Sequence, residues 1–196
     1  MDPTILVFGR NGQVARELAK LGPPPGLRLE FAGRETLDLA LAGDPEALIR
    51  ARRPLAVINT AAYTAVDRAE SEPDAAFRLN RDAPAAIARA CAALDVPVVH
   101  FSTDYVFDGA KPEPYVEDDP IAPMSVYGRS KAEGEAAVLQ SGARAGVLRT
   151  AWVYSAYGSN FLKTMLSLGR TREAVDVVDD QLGRPTWAQD CAGGQD

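Results

Sequence analysis

Short apolar runs alternate with longer amphipathic stretches along most of the sequence, and that alternation leaves few folds open. Thr4–Gly9, Leu27–Ala32, Leu55–Thr60, Val96–Ser102, Gly146–Thr150 and Ala174–Val178 read as six strands. Apolar runs bounded by turn signals suit strands buried on both faces. Helices are expected over Gly12–Leu21, from Asp44-Pro45 to Arg53-Pro54, and over Pro73–Leu94, Ser130–Gln140 and Asn160–Leu168. Asp44 before Pro45 is an N-cap followed by proline at the first helical position. The run Gly22-Pro-Pro-Pro-Gly26 stops the first helix, and Pro84 breaks or kinks the long alanine-rich one. Strands separated by helix-length segments imply right-handed crossovers. The expected fold is therefore α/β: a Rossmann-type doubly wound parallel sheet with helices on both faces.

Composition narrows the function. With 21 Lys and Arg against 27 Asp and Glu, the net charge is -6. Phosphate backbones call for concentrated positive charge, so nucleic acid is not an expected partner. Two cysteines, Cys91 and Cys191, cannot build a disulfide scaffold or a four-cysteine zinc site. No apolar run approaches the roughly 20 residues of a membrane span, and Met1-Asp2-Pro3 carries no signal-like segment. No membrane partner is expected, and the expected location is cytoplasmic.

Gly9-Arg-Asn-Gly12-Gln-Val-Ala15 follows the first strand and opens the first helix. This G-x-x-G-x-x-A loop suits a dinucleotide: glycines let the backbone approach a pyrophosphate, and the helix N-terminus offers it unpaired N–H groups. Gly9, Asn11, Gly12, Gln13 and Val14 are the candidate contacts, and a plain tight turn is the competing reading. The second strand ends in Ala32-Gly33-Arg34, with no acid for a ribose. Arg34 either meets a 2′-phosphate, favouring NADPH over NADH, or is a solvated surface arginine. Asp38 and Leu39 fall near the adenine edge. Ala61, Ala62 and Tyr63 follow the third strand, where small residues suit either a ligand or tight packing.

Ser102-Thr103-Asp104-Tyr105 ends the fourth strand, where open parallel sheets place ligands. Ser102 falls on the cofactor side. Tyr127 and Lys131 are four residues apart, which puts them on one helical face. Hydride reaching a carbonyl carbon leaves charge on oxygen, and a proton must follow. A tyrosine beside an ammonium suits that task, because the ammonium favours the phenolate. Thr103 is placed to orient the carbonyl, and Trp152 and Asn160 share the same rim. The single histidine, His100, lies inside an apolar strand and reads as a packed core residue. Cys91 reads as structural. Glu117-Asp-Asp119 reads as a solvated loop, with metal binding the minority view.

Together these residues resemble the extended short-chain dehydrogenase/reductases. The longer motifs resemble one family among them, the dTDP-4-dehydrorhamnose reductases. They are Thr60-Ala-Ala-Tyr-Thr-Ala-Val-Asp67 with Arg68-Ala-Glu-Ser-Glu-Pro73, Ser102-Thr-Asp-Tyr-Val-Phe-Asp-Gly109, Tyr127-Gly-Arg-Ser-Lys-Ala-Glu-Gly134, Arg149-Thr-Ala-Trp-Val-Tyr154, Asn160-Phe161, and Val178-Asp-Asp-Gln-Leu-Gly-Arg-Pro-Thr186. The resemblance implies NAD(P)H-dependent reduction of the 4-keto group of dTDP-4-dehydro-β-L-rhamnose. It makes Tyr127 the proton donor, Lys131 its partner and a ribose ligand, and Thr103 the carbonyl orienter. Thr103, Asp104 and Trp152 would line the sugar pocket, with Asn160 beside them. The family often forms homodimers, in some members with Mg²⁺; no metal ligand is assigned here. Family members are longer, so residues 1–186 are expected to form the NAD(P)-binding domain. Residues 187–196 are then a tail where the substrate-binding lobe, largely missing, would continue. Two other readings are a nucleotide-sugar epimerase or dehydratase that keeps its NAD⁺, and a non-catalytic, cofactor-binding regulatory subunit.

Overall fold

The computed structural model describes residues 2–41 and 43–193. Its centre is a five-stranded, all-parallel sheet of order β2-β1-β3-β4-β5, formed by β1 (Thr4–Phe8), β2 (Arg28–Ala32), β3 (Ala56–Asn59), β4 (Val98–Thr103) and β5 (Ala145–Thr150). The chain runs outward from β1 to β2 and then returns across β1 to β3. The switch point, where such sheets open a crevice at their carboxyl ends, therefore lies between β1 and β3. In-register pairs Leu6–Val57–Val98 and Phe8–Asn59–His100 stack two cross-sheet rows.

On one face the apolar row meets α2 (Pro45–Arg52) and α5 (Ala83–Ala93) through Ile49, Ile87, Ala88 and Cys91, all fully buried. Full burial of each large apolar side chain stabilises the fold by roughly 1.5–3 kcal/mol. The Cys91 thiol is pushed up to about 12 by its burial, which makes it structural and unreactive. The α1 helix (Gln13–Leu21) lies on the other face of the doubly wound sheet, and α8 (Ala188–Gly193) packs on it. Lys20 Nζ donates to Gln189 Oε1 at 3.2 Å, and Ala188 is fully buried. Residues 188–193, set apart in the sequence reading as a tail, thus lie against the first helix.

Five elements differ from the sequence reading. Ala174–Val178 is not a strand: β5 is paired on one side only, and Val177 and Val178 stand exposed. An apolar run becomes a strand only where a neighbour takes its backbone hydrogen bonds. A two-stranded pair, β6 (Val153–Tyr154) with β7 (Thr186–Trp187), forms instead nearby in the chain. The α3 helix (Val66–Ser71) was not expected. The α6 helix starts at Val126, one turn earlier than Ser130, because Ser125 caps it by accepting from Gly128 N at 3.0 Å.

The alanine-rich stretch is divided at Pro84, as expected, but by a π-turn over Arg78–Asp82 that joins α4 (Pro73–Phe77) to α5. Proline has no N–H to give the Asn80 carbonyl one turn back. That carbonyl faces Gly134 of α6 (Val126–Leu139), and a Cβ at Gly134 would collide with it. Nearby, Asn80 Nδ2 donates to Ser130 Oγ at 2.9 Å, so helix and π-turn are locked together. Gly134→Ala is expected to cost about 1–3 kcal/mol through this overpacking. A urea melt reads the loss, and an unchanged midpoint would contradict the close approach.

Candidate functional site

The loop after β1 is shaped by two glycines. Gly9 has φ +97°, and a Cβ there would stand 2.6 Å from Thr60 Oγ1. That hydroxyl donates to Phe8 O at 2.9 Å, and Gly9 N donates to Ala32 O at 3.0 Å, so β1, β2 and β3 end together. Gly12 caps α1 with no side-chain hydrogen bond, no acid in the first turn, and open space where a Cβ would be. The first-turn N–H groups are left for an anion. Ala15 is fully buried, which lets α1 sit close to the sheet. Asn11 and Arg34 are exposed at this rim, and Arg34 stands beside an Arg10–Glu35 ion pair of 2.7 Å.

The remaining cofactor candidates sit around the same crevice, several with their polar atoms engaged. Asp38 Oδ1 accepts from Ala40 N at 2.9 Å, and Leu39 packs on the core. Ala61 and Ala62 are half-buried where the chain leaves β3, and Val14 is half-buried on α1. Tyr63 N donates to Asn80 Oδ1 at 2.8 Å, and its hydroxyl donates to Glu72 Oε2 at 2.6 Å. The Gln13 side chain is a strut: Nε2 donates to Val153 O at 3.2 Å, and Oε1 accepts from Asn160 Nδ2 at 2.9 Å. Asn160 also caps α7 (Phe161–Leu168), its Oδ1 accepting from Lys163 N at 3.0 Å. The structure therefore joins Asn160 to the glycine loop, and its amide is spent on protein partners.

Ser102 and Thr103 end β4. Ser102 Oγ is buried and finds no partner among the described residues. An orphaned hydroxyl there, together with the open α1 N-terminus, fits a polar dinucleotide in the crevice. Thr103 Oγ1 donates to Asp104 Oδ1 at 3.1 Å. Burial is the main influence on the Asp104 carboxyl and raises it. Tyr127 is 8% exposed, with Tyr105 edge-on at 5.6 Å between ring centroids. Burial pushes the phenol up to about 12, the Thr103 hydroxyl draws it partly back, and Asp104 and Tyr105 add to the rise. Tyr127 thus keeps its proton across the working range, the state a proton donor needs.

Lys131 is placed differently from the sequence reading. Its Nζ donates to Phe101 O at 2.6 Å and lies 3.4 Å from His100 Nε2. The β3–β4 pairing stops at Asn59–His100. Past that point β4 has no β3 residue beside it, and the Phe101 carbonyl takes its hydrogen from the lysine. Burial lowers Lys131 to about 8, while Glu135 opposes the shift. Below about pH 8 the fold therefore bears the cost of a buried ammonium. Between about 8 and the ordinary 10.5, the folded amine is already neutral while the unfolded one still binds a proton, so stability rises with pH. Lys131→Met, which also forgoes a hydrogen bond worth about 1 kcal/mol, is expected to melt higher than wild type at pH 7. That advantage should fade as pH rises through this window; a lower melting temperature at pH 7 would contradict it.

An open cleft of about 920 Å³ adjoins these groups, with Asp104, Tyr105, Lys111, Trp152, Arg184 and Thr186 in its lining. Trp152 holds φ +48°, and its ring lies so close to Gly183 that a Cβ there would stand 2.7 Å from it. Lys111 is tied to Asp119 Oδ2 at 2.6 Å, which takes that carboxylate from the acidic loop. Sequence reasoning assigned no role to Lys111, which lies outside the quoted motifs, or to Arg184, which lies within Val178–Thr186. It also missed Gln13 and Asn160 as a pair, since 147 residues separate them.

Residues 3–194 match the family described as the RmlD substrate binding domain. A dTDP-4-dehydrorhamnose reductase from Sinorhizobium fredii is 52% identical over 186 residues, which are 95% of this chain and 62% of the relative. Among solved structures, a dTDP-4-dehydrorhamnose reductase from Bacillus anthracis in complex with NADP matches with TM-score 0.94 at 36% identity, covering 99% of this chain and 69% of that one. One from Clostridium acetobutylicum matches with TM-score 0.93 at 38% identity, covering 97% and 68%. The chain thus spans less than two thirds of the length of the curated relative. Among the described residues, no helix is long and apolar enough to cross a membrane.

Proposed function

This chain belongs to the RmlD substrate binding domain family, and we propose that it carries the cofactor and proton-transfer half of a reductase for dTDP-4-dehydro-β-L-rhamnose, yielding dTDP-L-rhamnose. The observation that supports this best is the convergence of Thr103, Asp104 and Tyr127 beside a large cleft, on a sheet whose first loop is built for a dinucleotide.

In this reading, Gly9, Gly12 and the first turn of α1 hold the pyrophosphate, while Asn11, Gln13 and Val14 shape the loop around it. Ala61, Ala62 and Tyr63 wall the crevice, Asp38 and Leu39 lie toward the adenine, and Ser102 offers its unpartnered hydroxyl to the cofactor. NADPH is preferred over NADH because Arg34, exposed past the end of β2, meets the 2′-phosphate. The bound cofactor supplies hydride to the carbonyl carbon of the sugar. Thr103 orients that carbonyl, and Tyr127 gives its phenolic proton to the oxygen as charge develops there. Lys131 swings from the Phe101 carbonyl to the ribose and the phenolate. Asp104 and Trp152 line the sugar side, and Asn160 acts through Gln13 on the glycine loop. The dTDP-sugar lies in the 920 Å³ cleft, with Arg184 available to its phosphates. The test is turnover by this chain: NADPH oxidation should depend on added keto-sugar. Tightly retained NAD⁺ with no net oxidation would instead point to an epimerase or dehydratase.

A further inference from the structure

His100 is 1% exposed and Asn59 is 2% exposed, in register on adjacent strands in a row that is otherwise apolar. Such polar groups are kept in a core only where their hydrogen bonds are made. Here they form one directed chain. Ala61 N donates to Asn59 Oδ1 at 3.1 Å, which fixes the orientation of the amide. Asn59 Nδ2 therefore faces His100 Nδ1, at 3.1 Å, and that nitrogen accepts. The one proton of a neutral ring then sits on Nε2, which points at Lys131 Nζ across 3.4 Å. An ammonium has no lone pair to receive it, whereas an uncharged amine has one. Lys131 meanwhile donates to Phe101 O at 2.6 Å.

We propose that Asn59 and His100 are positioning residues for Lys131: they present an Nε2–H to the lysine nitrogen and so determine where it rests and which proton it carries. The chain runs from the backbone that leaves β3 for the crevice to the helix that bears Tyr127. It links the crevice segment that begins at Ala61 to the proton-handling pair, one helical turn apart on α6. Among the described residues, the buried ionisable groups on β4 and α6 besides Lys131 are His100, Tyr127 and Glu135, and Arg149 of β5 is held on Glu135. The buried side chains of α5 are all apolar apart from the Cys91 thiol. The inference rests on the reading of Lys131 as the phenol's partner, but its test needs neither substrate nor cofactor.

The chain has one histidine and four lysines, so ¹⁵N-histidine and ¹³C-lysine NMR report on both groups directly. The wild-type imidazole should be neutral at pH 7, with a pyridine-like Nδ1 and a pyrrole-like Nε2. An Nδ1–H tautomer or an imidazolium would overturn the proposal without any variant being made. Asn59→Asp should reverse the chain: the carboxylate accepts from Nδ1–H, and Nε2 becomes an acceptor for the ammonium. The Lys131 signal, identified by its loss in Lys131→Met, should then titrate about one pH unit or more higher. Because the added carboxylate raises the lysine by its charge alone, the deciding readout is the ring, and a His100 that keeps its proton on Nε2 in folded Asn59→Asp would also overturn the proposal. A chain that fails to reduce the keto-sugar but shows the Nε2–H tautomer would refute the reductase reading and leave this one standing.

Discussion

Tyr127→Phe is expected to lower turnover by about 10²–10⁴-fold, the usual worth of a positioned general acid, while leaving cofactor affinity within a factor of about two. The ring packs among Val126, Ala69 and Ala76 and against the edge of Tyr105, and phenylalanine preserves all of that. Only the hydroxyl is removed, and with it the proton for the carbonyl oxygen. Comparing kcat with the dissociation constant for NADPH separates chemistry from folding. Equal rates in the two proteins would end the assignment of Tyr127 as donor.

The second large effect concerns stability. Glu135 of α6 has its side chain 2% exposed, and Arg149 of β5 covers it with a forked contact: Nη2 to Oε2 at 2.7 Å and Nε to Oε1 at 3.0 Å. The guanidinium also stacks over Phe107 at 5.0 Å. Arg149→Met keeps much of the volume but leaves a carboxylate buried without its partner. Breaking such a pair typically costs about 3–5 kcal/mol, more than the pair itself contributes. Urea unfolding should show that loss, and the double variant Glu135→Gln/Arg149→Met should recover much of it. A single-variant loss under about 1 kcal/mol would mean that water reaches Glu135 after all.

Much of this architecture is legible in the chain. The alternation of apolar and amphipathic stretches places β1 to β5 within a few residues, because a buried parallel strand must be apolar along its length. The glycine loop and the Tyr127/Lys131 spacing are local patterns, and local patterns survive folding. Ala174–Val178 misled for the converse reason: its apolar character is local, but a strand needs a neighbour. The helix start at Val126 hung on Ser125, one polar residue whose capping role shows only once the backbone turns there. The sequence placed Lys131 on the helical face of Tyr127 but could not show where its amine rests, since its contacts come from β4, some 30 residues away. His100 was read as a core residue, and it is buried. Its link to Asn59 appears only when β3 and β4 are set in register. That two buried polar residues sit at equivalent places in adjacent apolar strands was the one available signal.

The central claim is that a hydride donor in the crevice and the Tyr127 phenol act on one carbonyl. NADPH deuterated at the transferable position of its nicotinamide, incubated with this chain and dTDP-4-dehydrorhamnose, tests it directly. The account predicts dTDP-rhamnose carrying a single deuterium at C4, formed mole for mole with NADP⁺. Product without deuterium, or deuterated cofactor left unconsumed by a folded chain that binds both ligands, would contradict it.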